Sequence, residues 1–215
     1  MPRSPGRPSR WRSATSGIGL TTAHALAASG ARVVFAVRDA ARGAAAAAGT
    51  PGHTEVRVLD LDSLDSVRAF ADGWTGPIDL LINNAGVSMP ALSRTADGFE
   101  ATFGINHLGH FALTTLLLEH ITGRIVTVAS QAERLARLDF DDLDWRRRPY
   151  RQRRAYNDSK LANLLFTAEL RRRHPPVAGR PREGRRDPAG RGPPTALPRP
   201  VPRRRPAASP RCRIG

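Results

Sequence analysis

The sequence has a single cysteine and no long apolar run. Cys212 lies in an arginine-rich stretch near the C-terminus, which excludes a disulfide framework and a cysteine-based metal site. No apolar run approaches the ~20 residues of a membrane-spanning helix, and the N-terminus lacks the apolar region of a secretory signal. The histidines His24, His107 and His110 show no ligand spacing, so we expect packing or surface roles and no metal site. We therefore expect a soluble cytoplasmic protein that does not bind membranes.

Positive charge is concentrated at the two ends of the chain. The formal net charge is +15 over 215 residues. Residues 1–12 carry four Arg and no acid, residues 171–215 carry 14 Arg and two acids, and residues 13–170 carry 16 basic and 17 acidic residues. One hypothesis is therefore a non-catalytic protein whose Arg-rich tail binds nucleic acid through phosphates. The tail lacks the interleaved aromatic residues of single-strand binders, which argues against nucleic acid as a partner.

Apolar runs and turn residues divide residues 13–170 into alternating strands and helices. Strands are predicted over 32–37, 55–61, 78–83 and 124–130, and helices over 20–30, 40–48, 63–74, 97–121 and 156–170. Such alternation predicts an α/β fold, a Rossmann-like doubly wound parallel sheet with ligands at the carboxyl ends of its strands. From residue 171 onward, Arg and Pro dominate, and we expect a disordered tail.

A tyrosine and a lysine four residues apart open the last predicted helix. Tyr156 and Lys160 should lie on one helical face, about 5–6 Å apart at Cβ. An ammonium group beside a phenol favours the ionised phenol, which suits a general acid or base. A chance pairing on an ordinary helix is the alternative.

Four further segments fit a nucleotide site at the strand ends. Ser16-Gly17-Ile18-Gly19 predicts a glycine-rich turn that opens a helix near a pyrophosphate, or else an ordinary tight turn. Arg38 follows a strand and could accept a 2′-phosphate, or could simply be solvated. Asp60 could accept from an adenine amino group, and the segment from Asn83 to Gly86, which includes Ala85, lets the chain pass close under a nucleotide.

Two polar residues complete the candidate set. Ser130 ends a predicted strand and could hold a substrate carbonyl oxygen near Tyr156. Asn106 lies inside a mostly apolar helix, where a buried amide must find partners.

Taken together, these motifs resemble those of the short-chain dehydrogenase/reductase family, and specifically its members close to retinol dehydrogenases and their bacterial relatives. The resemblance covers residues 13–170 and places Asp60-Leu61 at the adenine side of the cofactor. It implies hydride transfer between a carbonyl/alcohol substrate and NADP rather than NAD. In the family pattern Asn106, Ser130, Tyr156 and Lys160 form the catalytic tetrad, and Tyr156 and Lys160 also contact the cofactor. The helices over 97–121 and 156–170 resemble the surface through which family members form homo-oligomers.

Both ends of the chain depart from the family pattern. Arg12 and Ser13 stand where the family has Thr-Gly, and PSRWR replaces its first, central strand. After Arg173 the family's remaining strands are not visible. We interpret the Arg- and Pro-rich ends as out-of-frame translation or a sequencing error, which shifting the reading frame of the gene would test. Because a sheet without its central strand exposes unpaired edges, we expect the chain as written to fold poorly and to have little activity.

Overall fold

The structure is a computed structural model that describes residues 15–174. The atypical N-terminal segment 1–12, most of the tail over 171–215 and the nucleic-acid hypothesis that depends on that tail lie outside the described residues.

Helices and strands alternate along this part of the chain, as the sequence predicts. The main elements are α1 (Gly17–Ala28), β1 (Val33–Val37), α2 (Ala40–Ala48), β2 (Thr54–Val58), α3 (Leu64–Asp72), β3 (Ile78–Asn83), α4 (Ala101–Phe103), α5 (Gly109–Leu116), β4 (Ile121–Thr127) and α6 (Gln152–Arg173). Between α4 and α5 lies a π-helical turn, Gly104–Leu108, and 3₁₀ turns span Leu118–His120 and Gln131–Leu135. Among the described residues, none of the helices is long and apolar enough to cross a membrane.

The strands form two parallel pairs rather than one continuous sheet. β1 pairs with β2, with Val33 opposite Thr54 and Val37 opposite Val58. β3 pairs with β4, with a register irregularity between Ile78 and Leu80. Within residues 15–174 no strand ladder joins the two pairs. This arrangement confirms the expected Rossmann-like α/β fold with an incomplete sheet.

The first strand pair is covered by small-residue helices. Phe35 and Val37 of β1 are buried at 0% and 3% exposure against Ala23 of α1. On α2, a Cβ at Gly43 would lie 2.6 Å from Val37 Cγ2 and 2.7 Å from Val56 Cγ1. Because even a methyl group would collide there, glycine allows α2 to lie against the strands.

A larger core joins the two strand pairs. Leu59 beyond β2, Val67 and Phe70 of α3, Ile78 of β3, and Leu113 and Leu117 at the end of α5 form one buried cluster. Helices α3 and α5 therefore hold together what no strand ladder connects within the described residues.

Most predicted boundaries are confirmed within a few residues, and so is one helix cap. The Ser63 side chain accepts from the Ser66 N–H at 3.3 Å at the start of α3. Asp39 caps α2 by accepting from two backbone N–H groups of its first turn.

The predicted boundaries of the central helix, of β4 and of the last helix are wrong. The single helix predicted over 97–121 begins only at Ala101, because the buried Glu100 side chain accepts from the N–H groups of Thr102 and Phe103. It ends at Leu116, and β4 begins at Ile121 rather than at 124. The last helix spans Gln152–Arg173 rather than 156–170, so it begins one turn before Tyr156 and extends to Arg173, where Glu169 forms ion pairs with Arg172 and Arg173 across the final turn.

Candidate functional site

Lys160 is a buried cation at the centre of the candidate site. The residue is 3% exposed, and its Nζ donates to the Val128 carbonyl oxygen at 2.9 Å. Burial lowers the pKa of Lys160, because loss of water disfavours the ammonium form. The Nζ lies 5.7 Å from the centre of the Tyr156 ring. The structure thus brings Tyr156 and Lys160 together on one face of α6.

Asn106 connects the loop after β3 to the helix that carries Tyr156. It is 0% exposed in the π-helical turn, and its Oδ1 accepts from the Val87 N–H at 2.7 Å. Its Nδ2 donates to the Val87 carbonyl at 2.9 Å and to Ser159 Oγ at 3.0 Å. Ser159 Oγ in turn donates to the Tyr156 carbonyl at 2.7 Å. The buried amide therefore has its partners, and they fix the backbone at Tyr156.

Gly86 lies between these two polar groups. A Cβ at this position would be 3.6 Å from Asn106 Oδ1 and 3.7 Å from Lys160 Nζ. The loop of small residues after β3 therefore passes close to the Asn106 and Lys160 side chains.

Ser130 lies at the start of a 3₁₀ turn that packs against α6. It begins the 3₁₀ turn Gln131–Leu135, which packs along α6, and its Oγ accepts from the Ala132 N–H at 3.3 Å. That bond uses an oxygen lone pair and leaves the hydroxyl proton for another acceptor. Lys160 holds the same segment through Val128, two residues earlier.

A cavity of about 100 Å³ lies at the carboxyl ends of β1, β2 and β3. Five of the predicted cofactor residues line it: Arg38, Asp60, Leu61, Ala85 and Gly86. Thr15, just before α1, lines it as well. Its volume is below the roughly 300–1,000 Å³ of typical ligand pockets, so it can enclose only part of a dinucleotide.

Arg42 also lines this cavity, and the sequence analysis missed it. It lies in the first turn of α2, four residues after Arg38, which precedes the Asp39 cap of that helix. That spacing was visible in the sequence. Two guanidinium groups, rather than one, therefore border the cavity.

Acidic groups moderate the positive charge of Arg38. Asp60 accepts from the Asp62 N–H at 3.0 Å. Burial raises the pKa of Asp62, the Asp60 carboxylate raises it further, and the Arg38 guanidinium opposes them. Arg38 is thus electrostatically coupled to the carboxylates at the end of β2.

The predicted glycine-rich turn opens α1 but does not line the cavity. Ser16 precedes the helix without a side-chain cap, and Gly17 has φ +56°, a backbone conformation that favours glycine. Ile18 is 60% exposed, and Gly19 follows it in the first turn. The first backbone N–H groups of α1 therefore have no side-chain cap.

The Asn83 side chain faces the core rather than the cavity. It is 1% exposed, and its Nδ2 donates to Thr114 Oγ1 of α5 at 2.9 Å. Because a buried amide must be paired, β3 places this side chain against α5, and only the later residues of the motif reach the cavity.

His107 and His110 lie on the central helix and are largely buried among other side chains. Burial lowers the pKa of His107, and it lowers the pKa of His110 to about 4. His110 Nδ1 lies 2.9 Å from the Asn106 carbonyl oxygen. Residues 15–174 contain no group of three or more His, Cys, Asp or Glu side chains that could hold a metal ion.

A family model described as short chain dehydrogenase matches residues 13–141. The chain belongs to the short-chain dehydrogenase family. Human retinol dehydrogenase 12 is 47% identical over 172 residues, which cover 74% of this chain and 54% of that protein. The chain thus spans about half the length of the curated relatives it matches.

Solved structures of other proteins show a similar fold. An uncharacterised protein from Mycobacterium paratuberculosis is 55% identical with a TM-score of 0.73, covering 75% of this chain and 60% of that one. A metagenomic short-chain oxidoreductase in complex with NADP is 29% identical with a TM-score of 0.55, covering 74% of each chain.

Proposed function

We propose that this chain is an NADP(H)-dependent oxidoreductase that interconverts a carbonyl compound and its alcohol. The observation that carries the proposal is that Lys160 lies beside the Tyr156 ring. A buried chain of hydrogen bonds from Asn106 through Ser159 fixes the Tyr156 backbone, and Arg38 and Arg42 border the nearby cavity. Membership of the family supports the reaction class, and a neighbour that binds NADP supports the cofactor class.

The proposed proton transfer runs through Tyr156. Its hydroxyl gives a proton to the carbonyl oxygen during reduction and takes it back during oxidation. The Ser130 hydroxyl proton is available to hydrogen-bond the same oxygen and hold it in place. Lys160 places a positive charge 5.7 Å from the Tyr156 ring centre, which stabilises the phenolate that forms as the proton leaves.

The residues present fit a nicotinamide dinucleotide. Lys160 has three N–H donors, and with one on Val128 it retains two for ribose hydroxyls. Gly86 lets the chain pass close to the cofactor, and the uncapped start of α1 suits a pyrophosphate. Arg38 and Arg42 would hold a 2′-phosphate, which is absent from NAD. When bound, the cofactor supplies or accepts the hydride.

The test is cofactor binding and turnover by the purified 215-residue chain. We expect saturable quenching of tryptophan fluorescence by NADPH, weaker quenching by NADH, and slow NADPH oxidation that requires an added aldehyde. The control is cofactor oxidation without aldehyde. No saturable binding and no aldehyde-dependent oxidation with either cofactor would overturn the proposal.

A homo-oligomer through α5 and α6 is part of the proposal. Phe111 and Leu116 on α5 are 45% and 46% exposed, and Leu164 and Leu165 on α6 are 39% and 50% exposed. Apolar side chains of this size on two long helices are typical of an association surface. Leu165→Glu should shift the chain to monomer in analytical ultracentrifugation, whereas Leu135→Glu, on the 3₁₀ turn, should not. A cytoplasmic location stays a prediction.

A further inference from the structure

An open groove of about 670 Å³ lies beside the N-terminus of α6. Its walls come from two segments, the end of the 3₁₀ turn with the residues after it and the first turns of α6. The lining residues are Leu135, Arg137, Arg151, Gln152, Arg153, Arg154 and Asn157. Four of the seven are arginines and none is acidic.

Three of these arginines form no ion pair within residues 15–174, and one carboxylate, Asp158, lies close by and accepts from the Arg137 backbone N–H at 2.9 Å. Arg154 forms an ion pair with Asp158 at 3.9 Å and donates to the Arg137 carbonyl, so it has a structural role. Arg137, Arg151 and Arg153 are exposed, and within residues 15–174 none of their guanidinium groups has an ion-pair partner. Such guanidinium groups suit carboxylate and phosphate groups, which they bind in bidentate geometry.

The groove adjoins the candidate catalytic residues on both walls. Ser130 begins the 3₁₀ turn that ends at Leu135, and Asn157 is the neighbour of Tyr156 on α6. A helix rises about 1.5 Å per residue, so Arg153 lies only about 4.5 Å along the axis from Tyr156. The groove thus begins within one helical turn of Tyr156 and at the end of the 3₁₀ turn that Ser130 precedes.

Gln152 also connects the groove to the loop after β3. Its Nε2 donates to the Ser88 carbonyl at 3.3 Å and to Ser88 Oγ at 3.1 Å. Ser88 follows Val87, which lines the cofactor cavity and bonds to Asn106. One lining residue of the groove, Gln152, thus contacts the same short loop that lines the cofactor cavity.

We propose that this groove binds an anionic group, carboxylate or phosphate, carried by the carbonyl substrate at a distance from the reacting carbon. The proposal rests on the proposed function and narrows its substrate class to carbonyl compounds with a remote negative charge. Arg137 and Arg153 hold the anion from the two walls, and the carbonyl end reaches Tyr156.

The first experiment detects binding without turnover. Phenylglyoxal modifies accessible arginines, and mass spectrometry of the full chain locates the modified residues. The carboxylate aldehyde 9-oxononanoate should protect Arg137 and Arg153, and its methyl ester should not. Arg171, an exposed residue near the other end of α6, is the control and should be modified equally in both samples. Equal modification of Arg137 and Arg153 with and without the acid would overturn the proposal.

The second experiment compares turnover of the same two aldehydes. We expect kcat/KM for the acid to exceed that for the ester by about tenfold, the effect of one charge-assisted hydrogen bond. The Arg137→Ala, Arg153→Ala double variant should lose that ratio, and Arg171→Ala should retain it. These exposed side chains can be removed without breaking the backbone bonds of Arg137, and circular dichroism of the variants checks the fold. An unchanged ratio in the double variant would overturn the proposal.

The two experiments separate this proposal from the proposed function. Protection by the acid with no turnover of either aldehyde would support the anion site and contradict the oxidoreductase activity. Turnover of both aldehydes at equal kcat/KM, without protection, would support the activity and overturn the anion site. Protection by inorganic phosphate or by phosphatidylglycerol vesicles, but not by 9-oxononanoate, would overturn the substrate assignment and indicate a site for free phosphate or a lipid headgroup.

Discussion

The two strand pairs differ in how their candidate residues are held. The nucleotide half, β1, α2 and β2, carries Arg38 and Arg42 around a small cavity. The catalytic half, β3 to α6, carries a buried chain of hydrogen bonds from Asn106 through Ser159 to the Tyr156 carbonyl, and Lys160 is held separately by the Val128 carbonyl. The proposed chemistry lies in the second half, and the proposed cofactor preference lies in the first.

The difference shows that the two functions depend on different forces. Asn106 alone makes three hydrogen bonds with its side chain, so the catalytic half is fixed by directional contacts. The nucleotide half is fixed by apolar packing of small residues, such as Gly43 against Val37. The halves meet through the core between α3 and α5, which includes Val67 and Leu113. A substitution in the catalytic half should therefore leave cofactor preference measurable, and a substitution in the nucleotide half should leave turnover measurable.

The largest expected effect is loss of proton transfer in the catalytic half. Tyr156→Phe removes the proposed acid/base hydroxyl and should lower kcat about a thousandfold, within the range of general acid–base catalysis, while NADPH still quenches fluorescence. The control is the chain's other tyrosine, Tyr150, whose hydroxyl bonds to the Met89 carbonyl and Glu100. Tyr150→Phe should reduce stability more than turnover. Equal turnover by Tyr156→Phe and the parent chain would contradict the assignment.

The next largest effect tests the network that holds the catalytic half. Asn106→Ala leaves the Val87 N–H, the Val87 carbonyl and Ser159 without their partner, and each buried unsatisfied group costs about 1–3 kcal/mol. We expect the free energy of unfolding in urea to fall by about 3 kcal/mol. Asn157→Ala, at a half-buried position, is the control, and its free energy of unfolding should fall by less than about 1 kcal/mol. Similar losses in both variants would show that the network contributes little.

The free energy of unfolding should also depend on pH through a residue of the catalytic half, His110, with an effect of similar or smaller size. Burial depresses the pKa of His110 from 6.5 to about 4. The unfolded chain therefore takes up this proton more readily, so the stability contribution is complete above pH 6.5 and is lost as pH falls toward 4. The loss should reach about 3 kcal/mol at most.

Urea unfolding between pH 7 and pH 4 measures this effect. His110→Gln should flatten the pH dependence, and His53→Gln, an exposed control, should not. A parallel pH dependence in the parent chain and in His110→Gln would contradict this explanation.

The smallest expected effect sharpens the assignment of the nucleotide half. Arg42→Ala removes one of two guanidinium groups beside the cavity and should lower the NADPH over NADH preference about tenfold, the value of one charge-assisted bond. Fluorescence titration with both cofactors measures it. Arg68→Ala, which breaks only an exposed ion pair with Asp65, should not change the preference. An unchanged preference in Arg42→Ala would place the 2′-phosphate elsewhere.

Periodicity and cap residues were sufficient to predict most of the fold. Ser63 and the Ala-rich run after Asp39 are local signals, and the structure has helices there. The start of the central helix was not predictable locally, because Glu100 caps it from a buried position that depends on Tyr150, 50 residues later. The extension of α6 to Arg173 depends on ion pairs with Glu169, which outweighed the expected end of the pattern.

The sequence indicated which residues belong to the candidate site, but it did not indicate the direction of each side chain or its contacts. The Tyr156 and Lys160 spacing determines a shared helical face, so their proximity followed from the sequence. The orientation of Asn83 did not, because a strand alternates its faces and the partner, Thr114, lies 31 residues away. Arg42 was not predicted because it lies inside the first turn of α2, whereas Arg38 directly follows the strand end where a cofactor contact is expected. The expectation that the chain folds poorly and has little activity stays a prediction.

Deuteride transfer tests the central claim most directly. The full chain is incubated with 4-deuterated NADPH, both stereoisomers in turn, and 9-oxononanoate methyl ester, and the alcohol product is analysed by mass spectrometry. We predict deuterium at the former carbonyl carbon from one stereoisomer only, and no labelled product with Tyr156→Phe. Unlabelled alcohol from both stereoisomers, or equal labelling by Tyr156→Phe, would contradict the assignment of hydride-transfer chemistry to the Tyr156 and Lys160 site.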